Sequence, residues 1–338
     1  MNTAVALTVS VLPVFLFLGA LVLLDSYKLI PLRAILVAVA AGAAAGVAAY
    51  AVNVSLKPAL ALDMASYSRY IAPVVEELLK ATYIAWLLRR SKVGFVVDAA
   101  TYGFAVGTGF AFVENIFSLQ LHPNPTIWTW IVRGFGTALL HGGTTAILAM
   151  ISRTLHNRAP NFRPAYMLPG LAVAVVFHSL YNQFLVAPLL ATALIVLVFP
   201  YVAMFLFQQS ERETRSWLGT GFDTDQELLR VMRAGEVTDT PVGLYLRGLR
   251  TSFAPEVIVD MMCMLRLRAE LGIRAKGMLL MREAGFEADP DPSLPAKLEE
   301  VRYLERSIGR TGMRALKPFV HTSTQDLWQL NLLDGAKQ

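Results

Sequence analysis

Ahead of Gln208 the sequence is divided into seven apolar runs, at residues 5–24, 34–56, 70–88, 93–119, 126–152, 165–186 and 188–207. A bilayer core about 30 Å thick takes roughly 20 helical residues to cross. Backbone amides inside it must be satisfied within the chain, so only helices or a closed barrel can span. Barrel strands need only about 10 residues, so runs of this length predict helices. The expected fold is all-α: a polytopic membrane bundle of about seven transmembrane helices, followed by a soluble helical domain. The composition agrees, since 55% hydrophobic and 16% charged residues are too apolar and charge-poor for an ordinary soluble chain. Residues 1–20 lack the basic segment of a cleavable signal peptide, so the first run is expected to be retained as a span. The last two runs are separated only at Ala187-Pro188, where a tight turn is expected.

Orientation follows from the loops. Lys28, Arg33, Arg89, Arg90, Lys92, Arg153, Arg158 and Arg163 fall on one side, against Lys57 and Arg69 on the other. The positive-inside rule then places the N-terminus outside and the C-terminus in the cytoplasm. Trp128 and Trp130 are expected at the outer interface and Trp86 at the inner one. The formal net charge of +5 is carried largely by these loops, so nucleic acid is not an expected partner. Cys263 is the one cysteine, which excludes a disulfide framework and a Cys-rich metal site.

The spans, 1–207, form one expected domain, and the charged remainder, 208–338, a cytoplasmic helical domain of unknown role. In that remainder Asp223-Thr224, Pro255 and Pro295 are placed to open helices that end at Gly235, Gly272 and Gly309. Leu298, Val301, Tyr303, Leu304 and Ile308 recur at helical spacing, residues 288–295 read as a linker, and Glu299-Glu300 reads as a solvated face.

Ionisable residues inside the spans cost about 2.5–3.5 kcal/mol each on insertion scales and so mark function by default. Glu76, Lys80 and Glu77 project at about 0°, 40° and 100° and share one face of the third span. Two carboxylates this close cannot both ionise comfortably, and such a pair can supply an acid and a base. The plainer reading is a structural ion pair between helices. Glu114, followed by Asn115, is a carboxylate in the fourth span that must find a partner elsewhere. Gly103, Gly107 and Gly109 beside it are packing residues. Arg133, Thr137, His141 and Thr145 recur every four residues on the fifth span, where Gly142 and Gly143 would admit a neighbouring backbone. His178 and Asn182 do the same on the sixth. At about 1.5 Å per residue, Glu76, Glu77, Glu114, Arg133, His141 and His178 all fall in the outer half of the bilayer. Asp98, near Arg89, Arg90 and Lys92, is instead expected to snorkel or pair at the inner end of its helix.

Glu-Glu-x-x-Lys at Glu76, Glu77 and Lys80, Phe-x-x-x-Glu at Phe110 and Glu114, the pair Arg133 and His141, and His-x-x-x-Asn at His178 and Asn182 together resemble the PrsW family of intramembrane proteases. That family is related to the CAAX-processing and bacteriocin-processing membrane endopeptidases. The resemblance covers roughly residues 5–207 and leaves the soluble tail outside. It implies a glutamic-type peptidase without a metal, cutting a single-pass membrane protein such as an anti-sigma factor on the extracytoplasmic side, in the bacterial cytoplasmic membrane. By the same resemblance Glu76 activates water with help from Glu114, while Glu77 and Lys80 set its charge and position. His178 and Asn182 stabilise the oxyanion, and His141 protonates the leaving amine or orients a carboxylate. The catalytic set is then Glu76, Glu77, Glu114, His141 and His178, supported by Lys80, Asn115, Arg133 and Asn182. The same five catalytic residues could hold zinc with an activated water. A proton-coupled transporter, or a non-catalytic binder of single-pass proteins, would use buried carboxylates and histidines too.

Overall fold

The computed structural model describes residues 3–25, 27, 29–121, 126–157, 162–286, 291–317, 319, 328, 329 and 333. Lys28 and Arg158, two of the expected loop charges, and the start of the expected 288–295 linker lie outside them. Among the described residues every regular element is helical. The chain divides into two compact units, residues 1–211 and 212–338.

The first unit contains α1 (Thr3–Leu24), α2 (Leu32–Leu60), α3 (Ala72–Arg89), α4 (Val96–Leu121), α5 (Ile127–Asn157), α6 (Leu168–Asn182) and the start of α7 (Pro188–Ala234). Helices α1, α2, α4, α5 and α7 are long and apolar enough to cross a membrane, as is α6 together with the 3-10 turn ahead of it, Pro164–Asn182. The 18 residues of α3 include Glu76, Glu77, Lys80 and Arg89, and these charges remove it from that set. Its predicted run is nonetheless helical.

Helix α4 is the hub of the unit. Its apolar window is 89% buried against 11% for α7, so α4 packs on protein where α7 is left to face lipid. Glycines permit that burial. A Cβ on Gly109 would overlap the Val39 carbonyl of α2, one on Gly42 the Val106 carbonyl of α4, and ones on Gly103 and Gly107 the backbone of α5 at Thr145 and His141. Helices in a membrane gain by approaching until their backbones touch, which small residues allow. The close approach at His141 is therefore made by Gly107. Gly142 shares in that approach, since a Cβ on Gly107 would also meet the Gly142 Cα, and a Cβ on Gly142 itself would meet the Phe104 ring. Gly109→Ala is expected to push α2 and α4 apart at a cost of about 1–3 kcal/mol. Gly277→Ala, at a helical position with nothing within 4 Å, is expected to gain about 0.5–1 kcal/mol. Unfolding midpoints in detergent should move in opposite directions, and a Gly109→Ala protein as stable as wild type would contradict this packing.

Two segments have π-helical geometry. One, Tyr67–Ile71, leads into α3, and the other, Val132–Thr137, lies within α5. Such wide turns concentrate at functional sites. In α5 two members of the four-residue stripe predicted from Arg133 to Thr145, Arg133 inside the wide turn and His141 beyond it, both reach Glu114. Thr145 bonds back to the His141 carbonyl at 2.8 Å, and its neighbour Thr144 faces α3 instead.

Asp98 does not snorkel. It is buried, and its Oδ2 accepts the Gly94 and Phe95 amides at 2.8 and 2.9 Å. Sitting at the third position of α4, it closes the helix start as a capping carboxylate does. Arg153 is likewise not a loop charge, since it is buried in α5 and donates to the Val93 carbonyl at 3.0 Å and to that of Gly94. Of the predicted interfacial tryptophans, Trp86 and Trp128 are exposed, but Trp130 is fully buried.

In the second unit, α7 runs without a break through Asp223 and Thr224, so no helix opens there. It ends before Gly235, whose φ of 74° suits a residue without a Cβ. The unit continues through α8 (Pro241–Gly248), α9 (Pro255–Glu283) and α10 (Leu294–Leu316). Helix α9 passes through Gly272, where a Cβ would meet the Asp225 carboxylate. Leu298, Val301, Leu304 and Ile308 enter a core with Met261, Met264 and Leu265, whereas Tyr303 is exposed. Gly309, at φ 69° and ψ 174°, kinks α10 at the predicted stop.

Candidate active site

Glu77 is the deepest member of the site. It and Lys80 have fully buried side chains and pair at 2.6 Å, three residues apart on α3. The same Oε1 receives the Thr144 hydroxyl at 3.1 Å and faces His178 Nδ1 at 2.9 Å. Its Oε2 is buried and has no hydrogen-bond partner among the described residues. Glu76, one position earlier, places Oε2 3.7 Å from the other ring nitrogen of His178, Nε2. The two adjacent glutamates thus grip opposite nitrogens of one imidazole supplied by α6.

A second chain of contacts comes from α4 and α5. Arg133 Nη2 donates to Glu114 Oε1 at 3.1 Å, and Glu114 Oε2 lies 2.6 Å from His141 Nε2. His141 Nδ1 is 3.2 Å from the Lys80 ammonium, which ties this chain to the first. Arg133 Nε also donates to Asn115 Oδ1 at 2.9 Å, and the Asn115 amide donates to the Ser10 carbonyl of α1 at 2.7 Å. The imidazoles of His141 and His178 meet edge to face, 4.8 Å between centroids. Phe110 supports Lys80 and His141, each 4.9 Å from its ring centre.

Every residue of the predicted catalytic set is therefore in one cluster, with Lys80, Arg133 and Asn115 attached. Asn182 is not. Its amide donates to the Ser68 carbonyl at 2.9 Å, inside the first π-helical segment, and so ties α6 to the entry of α3. Three residues were missed by the sequence reading. Thr144 touches Glu77, Asn53 of α2 donates to Glu76 Oε1 at 3.3 Å, and the Tyr67 hydroxyl donates to Asn53 Oδ1 at 2.8 Å. The available signal was an amide inside the apolar run 34–56 of α2.

Glu76, His141 and His178 each offer one donor atom, and the three atoms lie within 4.8 Å of one another. Two histidines and one carboxylate are a donor set used by catalytic zinc. Each histidine also has a carboxylate on one ring nitrogen, Glu77 for His178 and Glu114 for His141, as metal-bound imidazoles do. Bonds of about 2.0–2.2 Å to one ion would require the set to contract, and Lys80 would have to leave His141 Nδ1.

Residues 30–207, just over half of the chain, match the family model described as PrsW family intramembrane metalloprotease. The chain belongs to the PrsW family. It is accordingly an integral membrane peptidase, whose substrates are membrane proteins met in a lipid environment. The PrsW match ends at Phe207, four residues before the boundary of the first compact unit. No curated protein and no solved structure matches the chain.

Proposed function

We propose that this PrsW-family chain hydrolyses a peptide bond of a single-pass membrane protein, near the outer side of the bilayer, with Glu76, His141 and His178 surrounding the reacting atoms. The observation that carries the reading is the convergence of these three side chains within 4.8 Å, with Glu77 and Glu114 behind the two imidazoles.

Glu76 is the base in this reading. Its Oε2, 15% of the side chain being exposed, faces the cluster and takes the proton of the attacking water. Glu77 is the poorer candidate, because its side chain is fully buried and its charge is paired with Lys80. It holds the His178 ring by accepting from Nδ1–H, so that Nε2 stays beside the carbonyl under attack and, when the imidazole carries its second proton, donates to the developing oxyanion. Preorganised donors of this kind are worth about 2.7–4 kcal/mol. The proton that Glu76 takes from water is the one delivered to the leaving amine, while His141, held between the more exposed carboxylate of Glu114 and the Lys80 ammonium, keeps Glu114 in place. The Lys80 ammonium against His141 Nδ1 supports catalysis without a metal, because it already engages that ring nitrogen.

A zinc-dependent reading of the same residues is supported by the donor set itself and by the family's description as a metalloprotease. Glu76, His141 and His178 would hold the ion, which when bound would polarise the scissile carbonyl and supply an activated water. In that reading Glu77 and Glu114 orient the imidazoles.

An anti-sigma factor with one span and an extracytoplasmic region is a substrate of the right class. The N-terminus is then outside and the C-terminus in the cytoplasm of a bacterial inner membrane, with residues 208–338 available to recruit substrate or receive a signal. The test is co-expression of wild-type and Glu76→Gln protein with tagged single-pass proteins. A shortened product with wild type alone is expected, and equal amounts of product with both would contradict the assignment.

A further inference from the structure

Glu76 has an anchor on its side away from the histidines. The Tyr67 hydroxyl, on a residue only 3% exposed, donates to Asn53 Oδ1 at 2.8 Å, and the Asn53 amide donates to Glu76 Oε1 at 3.3 Å. From the geometry we infer that Asn53 and Tyr67 form a positioning pair, which holds Glu76 so that its second oxygen faces His178.

Three independent features support this. A carboxylate that turns freely about its last bond presents either oxygen to the cluster, and an amide bond to Oε1 removes that freedom, leaving Oε2 toward His178 Nε2 at 3.7 Å. Asn53 in turn is an amide between valines in an apolar span, where a polar group finds a partner or pays several kcal/mol. Its carbonyl oxygen is occupied by Tyr67, so the amide is oriented with its N–H toward Glu76. Finally, Tyr67 opens the π-helical segment Tyr67–Ile71 directly ahead of α3. The wide turn and the Asn182 bond to Ser68 in the same segment fix the backbone that carries the phenol. The anchor therefore joins α2, the entry to α3 and α3 itself around one carboxylate. Neither Asn53 nor Tyr67 reaches the histidines, so both act through Glu76.

The inference rests on Glu76 being the group that reacts, and its test separates the two claims. Infrared spectra of the purified protein would be recorded for wild type, Glu76→Gln, Asn53→Ala and Tyr67→Phe. The carboxylate band lost in Glu76→Gln is expected to move in Asn53→Ala and to move less, in the same direction, in Tyr67→Phe. Loss of a hydrogen bond to a charged group is expected to lower kcat about tenfold in Asn53→Ala, with KM unchanged. Tyr67→Phe, which keeps the buried ring, should lower kcat about threefold on its own. Added to Asn53→Ala it should lower kcat no further, because its path to Glu76 is already cut. A band that stays in place in Asn53→Ala, or a Tyr67→Phe effect that persists in full in the Asn53→Ala background, would overturn the positioning role. A band that moves in a protein that cleaves nothing would support the anchor and count against the peptidase reading alone.

Discussion

Lys80→Met is expected to lower the stability of the membrane unit by about 3–5 kcal/mol, the largest stability effect the structure predicts. Lys80 and Glu77 are fully buried and paired at 2.6 Å, so the substitution leaves a carboxylate sealed among α3, α5 and α6 without its counter-charge. Thr144 and His178 still face Glu77, but neither carries a permanent charge. Desolvation penalises an unpaired ion far more than it penalises the pair, so removing both members is the milder change. Lys80→Met combined with Glu77→Gln should recover most of the loss. Unfolding of the four proteins in bicelles completes the cycle. A single Lys80→Met cost below about 1 kcal/mol, the range of an exposed pair, would mean that water reaches Glu77.

His178→Ala is expected to lower kcat by about 10²–10⁴-fold, the scale on which a positioned acid or base contributes. His178 faces both glutamates of α3, at 2.9 Å from Glu77 and 3.7 Å from Glu76. Its removal takes away the donor beside the scissile carbonyl and frees both carboxylates. His156 is the matching control. It is also buried, on α5, but its ring contacts are Phe162 and Tyr166. His156→Ala should leave cleavage within about twofold, because it touches no group of the cluster. Equal losses for the two histidines would mean that activity reports fold integrity, not chemistry at His178.

Much of the cluster was legible in the sequence because charge in an apolar run has few innocent explanations. Glu76, Glu77, Lys80, Glu114 and Arg133 stand out on that ground, and two mid-span histidines on faces with other hydrogen-bonding groups join them. The helices were legible for the same reason, from run length alone. What escaped depends on partners and on helix phase. Asp98 was assigned to basic neighbours in sequence, yet it satisfies the backbone at the start of its own helix. Thr144 was overlooked in favour of Thr145 because both lie one turn beyond His141 in regular α-helix, and only the neighbouring α3 shows that Thr144 is the one that meets Glu77. Asn53 and Tyr67 are uncharged, and polar residues of that kind are common enough in membrane helices that only the distance to Glu76 singles them out. Asp223-Thr224 has the chemistry of a helix start, but the helix around it was already under way.

The most direct test of the account is cleavage of a model single-pass substrate by purified protein in proteoliposomes, comparing wild type with Glu76→Gln, each with and without a strong zinc chelator. The account predicts product with wild type and none above background with Glu76→Gln. Chelator-resistant wild-type activity would support glutamate-activated water without a metal, and activity lost to chelator and restored by zinc would support the zinc-dependent reading, for which Glu76, His141 and His178 are the candidate ligands. Cleavage by Glu76→Gln at the wild-type rate would contradict the account, because the reaction would then not depend on the carboxylate placed at its centre.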